Sequence, residues 1–148
     1  MVEKYFDGKW PDAERTSGIP LVGQLKMKLS SLDSILGKTV PQFEFTSALS
    51  AIWDVIGASN KLIEESKPWI LYKEGRMEEL SAVIECLLEV LRVTGAMIYP
   101  FMPYTAAKIM SQLGIQDKAA QESLSGTRTA STRVGKAVPI FPRLDNGK

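Results

Sequence analysis

The stretch Ala58-Ser59-Asn60-Lys61-Leu62-Ile63-Glu64-Glu65-Ser66-Lys67-Pro68-Trp69-Ile70-Leu71-Tyr72-Lys73 closes a long amphipathic helix and breaks it at one point. Pro68 lacks an amide N–H, and its ring clashes with the preceding turn, so the helix must kink or end there. Trp69 is therefore predicted at a bend, not on a smooth helical face. Its flat π surface then stands beside the basic Lys61, Lys67 and Lys73, which suits stacking on an unpaired nucleic-acid base. The competing reading is a Trp that caps the core where two helices meet, and the residues alone favour it.

Upstream of the bend, Phe45, Leu49, Ile52, Ile56, Ser59 and Ile63 recur at helical spacing and define one apolar stripe. Trp53, beside Ile52 and Ile56, reads as core. Asn60 lies at the polar border of the stripe. It precedes Trp69 by about two and a half helical turns, and the bend could bring Trp69 round to the side that Asn60 faces. Asn60 would then offer an amide to base edges; otherwise it is a helix-surface residue or an interhelical polar contact, which spacing alone favours.

The same period organises the rest of the chain. Leu21, Leu25, Leu29, Leu32 and Leu36 form an earlier amphipathic helix that Gly37 is expected to end. Beyond Gly75, Leu80, Ile84, Leu87, Leu91 and Ile98 make one face of a helix that is apolar nearly all round from Leu87 onward, as a central bundle helix should be. Tyr99-Pro100-Phe101-Met102-Pro103 stops it, and Pro103 opens a last helix, Tyr104 to Leu113, ended by Gly114. Residues 1–6 read as the tail of a helix whose beginning is missing, closed by Asp7-Gly8, which suggests a fragment of a longer protein. Residues 8–20, with Gly8, Pro11, Gly18 and Pro20, read as a loop that contains an uninterpretable Trp10. The expected fold is an all-α antiparallel helix bundle over 1–120. Residues 121–148 form a second region. Its Ser-, Thr-, Gly- and Arg-rich part, 121–135, is expected to be poorly ordered, and its extended apolar tail, 137–144, to dock back on the bundle.

Composition narrows the chemistry. The chain has 148 residues, 45% hydrophobic and 24% charged, enough for one domain with a real core. It has no histidine and one cysteine, which excludes Ser-His-Asp and Cys-His catalysis, intrachain disulfides and thiolate zinc clusters. Cys86, within Val83-Ile84-Glu85-Cys86-Leu87-Leu88, reads as a buried inert thiol. No Gly-rich phosphate loop is present. The carboxylates of Glu64-Glu65, Glu78-Glu79 and Glu85/Glu89 read as solvated helix faces. Glu85, Glu89 and Arg92 interrupt the most apolar helix, so it reads as a core helix and not a membrane span. A lone cysteine fits a reducing cytoplasm.

Net charge is only +1, so any nucleic-acid contact must come from a local patch. Residues 126–148 hold five bases (Arg128, Arg133, Lys136, Arg143 and Lys148) against one acid, whereas residues 60–92 hold five bases against seven acids. The apolar Ile70-Leu71-Tyr72 beside Trp69 keeps a second function class open, a helical protein-interaction module without an RNA role. A small helical enzyme is a third class, disfavoured by the missing nucleophile–base pairs.

Several of these segments together resemble the anticodon-binding domain of bacterial methionyl-tRNA synthetase, a class I enzyme. They are Met1-Val2-Glu3-Lys4-Tyr5-Phe6-Asp7-Gly8, Ala58-Ser59-Asn60-Lys61, Lys67-Pro68-Trp69 and Leu91-Arg92-Val93, followed by Tyr99-Pro100-Phe101-Met102-Pro103 and Pro139-Ile140-Phe141-Pro142-Arg143. The Pro-Phe-Met-Pro turn also occurs, more loosely, in valyl-, leucyl- and cysteinyl-type enzymes. The Asn60 to Pro68-Trp69 spacing and the Phe141-Pro142-Arg143 ending make the methionyl resemblance the specific one, with the equivalent domain of a related class I enzyme as the alternative.

The resemblance implies a bundle that reads the CAU anticodon, with Trp69 stacking on an anticodon base. Asn60, Lys61 and Lys73 are weaker candidates for base or phosphate contact. It implies a tRNA partner and a catalytic domain in the same parent chain, with no DNA and no membrane, in the cytoplasm. The parent would use ATP with Mg, and a structural Zn; this fragment would hold no cofactor and no catalytic residue. The family's first bundle helix, with an Asn and an Arg that complete the site, would lie just upstream of Met1. The nucleotide-binding fold, its two ATP signature motifs and any zinc-bearing insertion are absent. Tyr104-Thr105-Ala106-Ala107 departs from the family, which carries an acidic residue after this proline, and so does the basic Ser/Thr-rich loop.

Overall fold

A computed structural model describes residues 1–11, 18–115 and 133–141. Six helices follow in order: α1 (Val2–Phe6), α2 (Pro20–Thr39), α3 (Phe45–Ser66), α4 (Pro68–Lys73), α5 (Met77–Met97) and α6 (Pro103–Gln112). Among the described residues there is no strand, only an isolated bridge between Lys9 and Arg133. The fold is the expected all-α helix bundle. The predicted loop over 121–135 lies outside the described residues as far as 132.

α5 is the hub. It packs against α2, α3, α4 and α6, and eleven of its residues are buried, from Leu80 to Met97. Burial on most sides is what its nearly continuous apolar sequence requires, with Leu91 an exposed exception. Gly95 lets α6 come close, since a Cβ there would stand 2.9 Å from Ile109 Cγ2. α2 buries Val22, Leu25, Leu29 and Leu32, α3 buries Ala48, Ile52, Val55, Ser59 and Leu62, and the two helices pack on each other as well as on α5.

Three details depart from the sequence reading. Gly37 does not end α2, which continues to Thr39. Pro41 ends it: the chain turns through Val40–Glu44, with Phe43 N donating to Val40 O and Glu44 N to Thr39 O. Pro20 is no longer loop but the first residue of α2, where its missing N–H costs nothing.

The third departure concerns Trp53, which is 55% exposed and not core. The buried face of α3 runs through Ala48, Ile52, Val55, Ser59 and Leu62, so the predicted stripe is rotated. Phe45 is exposed, and Leu49, Ile56 and Ile63 are only half-buried. At about 100° per residue, Trp53 lies well outside the arc that faces α5.

Trp10 is buried, and its Nε1 donates to Leu113 O at 3.3 Å. Residues 133–141 run past the same corner. Val134 N donates to Gly8 O, Gly135 N to Gln112 O, and the Gln112 side chain donates to Val138 O at 2.6 Å. Gly114, at φ 75°, allows Ile115 N to close α6 on Met110 O.

Candidate nucleic-acid interface

The bend at Pro68 is built by two adjacent residues. Lys67 adopts a left-handed backbone (φ 45°, ψ 68°) and serves both as the last cap of α3 and the first cap of α4. Its N–H donates to Ile63 O, and its carbonyl accepts from Ile70 N at 2.7 Å. Pro68 then takes the first position of α4 and is fully buried. The helix thus ends and restarts in a new direction, with no kinked continuation.

α4 is only six residues long, and its side chains divide sharply. Pro68 and Leu71 are buried, while Trp69, Ile70 and Tyr72 are exposed, Trp69 by 45%. Trp69 is a surface aromatic on an anchored platform. It does not cap the core, as the residues alone suggested; Pro68 and Leu71 do.

The other predicted site residues are placed as follows. Asn60 is exposed on α3 and lines a groove with Ile56 and Ile63. Lys61, one residue on, is rotated by about 100° and pairs with Glu65 at 3.6 Å, an exposed i,i+4 contact. Lys73 is exposed at the end of α4, where it also complements the helix dipole. Lys73 and Trp69 share the short helix, whereas Asn60 belongs to the groove, which Trp69 does not line. Among the described residues, Lys67 and Lys73 make no ion pair.

The groove is a second feature of this face. It encloses about 400 Å³ between α3, α5 and α6, lined chiefly by Ile56, Ile63, Leu87, Leu91, Ile98 and Ile109, with Met1 and Val2 at its edge. Leu91, expected to be covered, is exposed beside it. Exposed Trp53 precedes the groove residues Ile56 and Asn60 by three and seven positions, which places it along the same edge of α3.

A contact missed by the sequence reading lies next to Trp69. The Tyr5 and Tyr72 rings stack, with centroids 4.5 Å apart and an interplanar angle of 27°.

Reactive chemistry is sparse. Burial pushes the Cys86 thiol up to about 11, which keeps it protonated and unreactive. Arg76 is raised above its ordinary value by hydrogen bonds to Glu79 and Glu74 at the mouth of α5. Among the described residues, no group of three acidic, Cys or His side chains could hold a metal. No helix of the described residues is long and apolar enough to cross a membrane.

Residues 8–142 match the family model described as the anticodon binding domain of methionyl tRNA ligase. The chain is 38% identical over 150 residues to methionine–tRNA ligase 1 of Bacillus cereus, an alignment that takes in 98% of the chain and 23% of that protein. It is 38% identical over 149 residues to methionine–tRNA ligase of Halalkalibacterium halodurans, covering 98% and 22%. The fold superposes on the free-state methionyl-tRNA synthetase of Mycobacterium tuberculosis with a TM-score of 0.89 at 26% identity, over 99% of this chain and 30% of that one. For the same enzyme in complex with methionyl-adenylate the TM-score is 0.83, again at 26% identity, over 97% and 28%. The chain spans about a quarter of the length of these relatives.

Proposed function

The chain belongs to the family of anticodon-binding domains of methionyl-tRNA ligase, and from this premise we propose that Trp69 stacks on a base of the CAU anticodon. The observation that supports it is the mounting of Trp69. It stands exposed on a six-residue helix whose first residue is buried and whose entry is fixed by the left-handed Lys67. A ring held this way meets a base without first losing backbone freedom, and stacking on an aromatic contributes about 1–3 kcal/mol per base.

Lys73, without an ion-pair partner among the described residues and beside Trp69, is placed for a phosphate. Asn60 is the proposed base-edge contact, acting from the groove. Lys61 is the weakest of the four, because it already faces Glu65. In the parent, this domain positions a methionine-accepting tRNA so that the catalytic part attaches methionine with ATP, in the cytoplasm. The two partners are that tRNA and that catalytic part. The proposed division is a bundle over 1–120 and a basic loop with docked tail over 121–148. Zn does not fit this chain: it has no histidine, and its one cysteine is buried. Any structural Zn is therefore assigned to the rest of the parent, and ATP with Mg to its catalytic part. That polypeptide also supplies the proposed occupant of the groove, a helix carrying the family's Asn and Arg, laid against Ile56, Ile63 and Leu91.

Titration of the full-length parent with an anticodon stem-loop and a CAU-scrambled control, at one stated salt concentration, tests this reading. Tighter binding of the CAU loop is expected. Equal affinity for both loops would contradict it and favour the protein-interaction reading.

A further inference from the structure

Tyr72 follows Trp69 by three residues, so on α4 the two side chains are neighbours, with Cβ atoms about 5–6 Å apart. One side of the Tyr72 ring is held by Tyr5, yet Tyr72 remains 42% exposed. The stack therefore fixes the ring while leaving much of it in solvent beside an exposed Trp. Two cations flank it. Lys4 Nζ lies 5.8 Å from the centroid of the Tyr5 ring, and Lys73 follows Tyr72 directly. Of the acids nearby in sequence, Glu74 is engaged by Arg76 at 3.2 Å, and Glu3 is exposed.

We propose that the Tyr72–Tyr5 pair is a second stacking platform, which takes an unpaired RNA base adjacent in sequence to the one on Trp69. Lys4 and Lys73 then neutralise the neighbouring phosphates. The proposal rests on the stacking role of Trp69. Every base offers a π face, so this platform adds affinity for an opened loop and little discrimination among bases. The pre-formed stack matters because Tyr72 is ordered before RNA arrives, which lowers the entropy cost of binding.

The test uses the full-length parent and anticodon stem-loops, each made abasic at one loop position, with affinities measured at fixed salt. For the intact loop, Tyr72→Leu is expected to weaken binding about fivefold to a hundredfold, and Tyr72→Phe to leave it unchanged. One abasic position should make Tyr72→Leu silent, and that position should neighbour the one that silences Trp69→Ala. Tyr72→Met, which keeps a thioether against Tyr5, repeats the measurement if Tyr72→Leu lowers the melting temperature. An equal penalty on every abasic loop would make the tyrosine pair a staple between α1 and α4 and overturn the proposal. Silence at the same position as Trp69→Ala would overturn it too, and so would no loss on the intact loop. If Trp69→Ala is harmless on the intact loop, the reading of Trp69 itself falls.

Discussion

Lys67 holds a left-handed backbone directly ahead of Pro68, and this pair, not a kink, turns α3 into α4. A proline disfavours the right-handed helical region for the residue before it. Lysine in the left-handed region is itself unfavourable by about 1–2 kcal/mol. The strain is localised at the residue that aims Trp69.

Lys67→Gly should therefore stabilise the chain by about 0.5–1 kcal/mol, because glycine takes this backbone without a Cβ clash. Lys67→Ile should destabilise it by at least as much, since a β-branched residue fits the left-handed region worst. Urea unfolding midpoints of the two variants check both signs. Destabilisation by Lys67→Gly would mean that the lysine side chain, and not the backbone, matters at this position.

Neighbouring residues on α3 should respond in opposite ways. Ile52 is fully buried, so Ile52→Ala should cost about 2–5 kcal/mol. Trp53→Ala in this chain should stay within about 0.5 kcal/mol, since its ring is mostly in solvent. In the parent, where the groove is proposed to be filled, Trp53→Ala should cost distinctly more. An equal effect in both would argue against a covering segment on that flank.

Gly95 marks the closest approach of α5 to α6, with Ile109 Cγ2 and Met110 Cε both near the site of a Cβ. Gly95→Val should lower stability by about 1–3 kcal/mol through overpacking, despite the poor helix propensity of glycine. Thermal unfolding followed by circular dichroism reads this directly.

The Cys86 thiol sets a pH dependence. Its folded value, about 11, lies above its ordinary value of 9.0 because burial disfavours the thiolate. Folding therefore favours the protonated thiol. Its contribution is fully present below pH 9 and is lost as pH rises towards 11. The stability of the native chain should fall more steeply across that window than that of Cys86→Ala, whatever the absolute cost of the substitution. Parallel slopes would show that the thiol does not titrate with unfolding.

Helix order and the α3–α4 break were readable because leucine spacing, Pro68, Gly75, Pro103 and Gly114 each carry a local backbone consequence. The orientation of α3 was not. Its apolar arc is wide enough to pack on α2 and α5 and still line the groove, and periodicity cannot say which flank is covered. Trp53 was misplaced for that reason. Trp10 was illegible because its burial depends on Leu113, 103 residues away. At the site, Trp69 and Lys73 follow from the bend. The Tyr5–Tyr72 stack is a long-range contact that no spacing announces.

The exposed ring of Trp69 is proposed to bind the anticodon. Aminoacylation of a methionine-accepting tRNA by the full-length parent, at fixed salt, tests it with Trp69→Ala and Trp69→Phe side by side. Trp69→Ala is expected to lower kcat/KM about fivefold to a hundredfold, with substantial recovery in Trp69→Phe. Aminoacylation by Trp69→Ala at the native rate would contradict it.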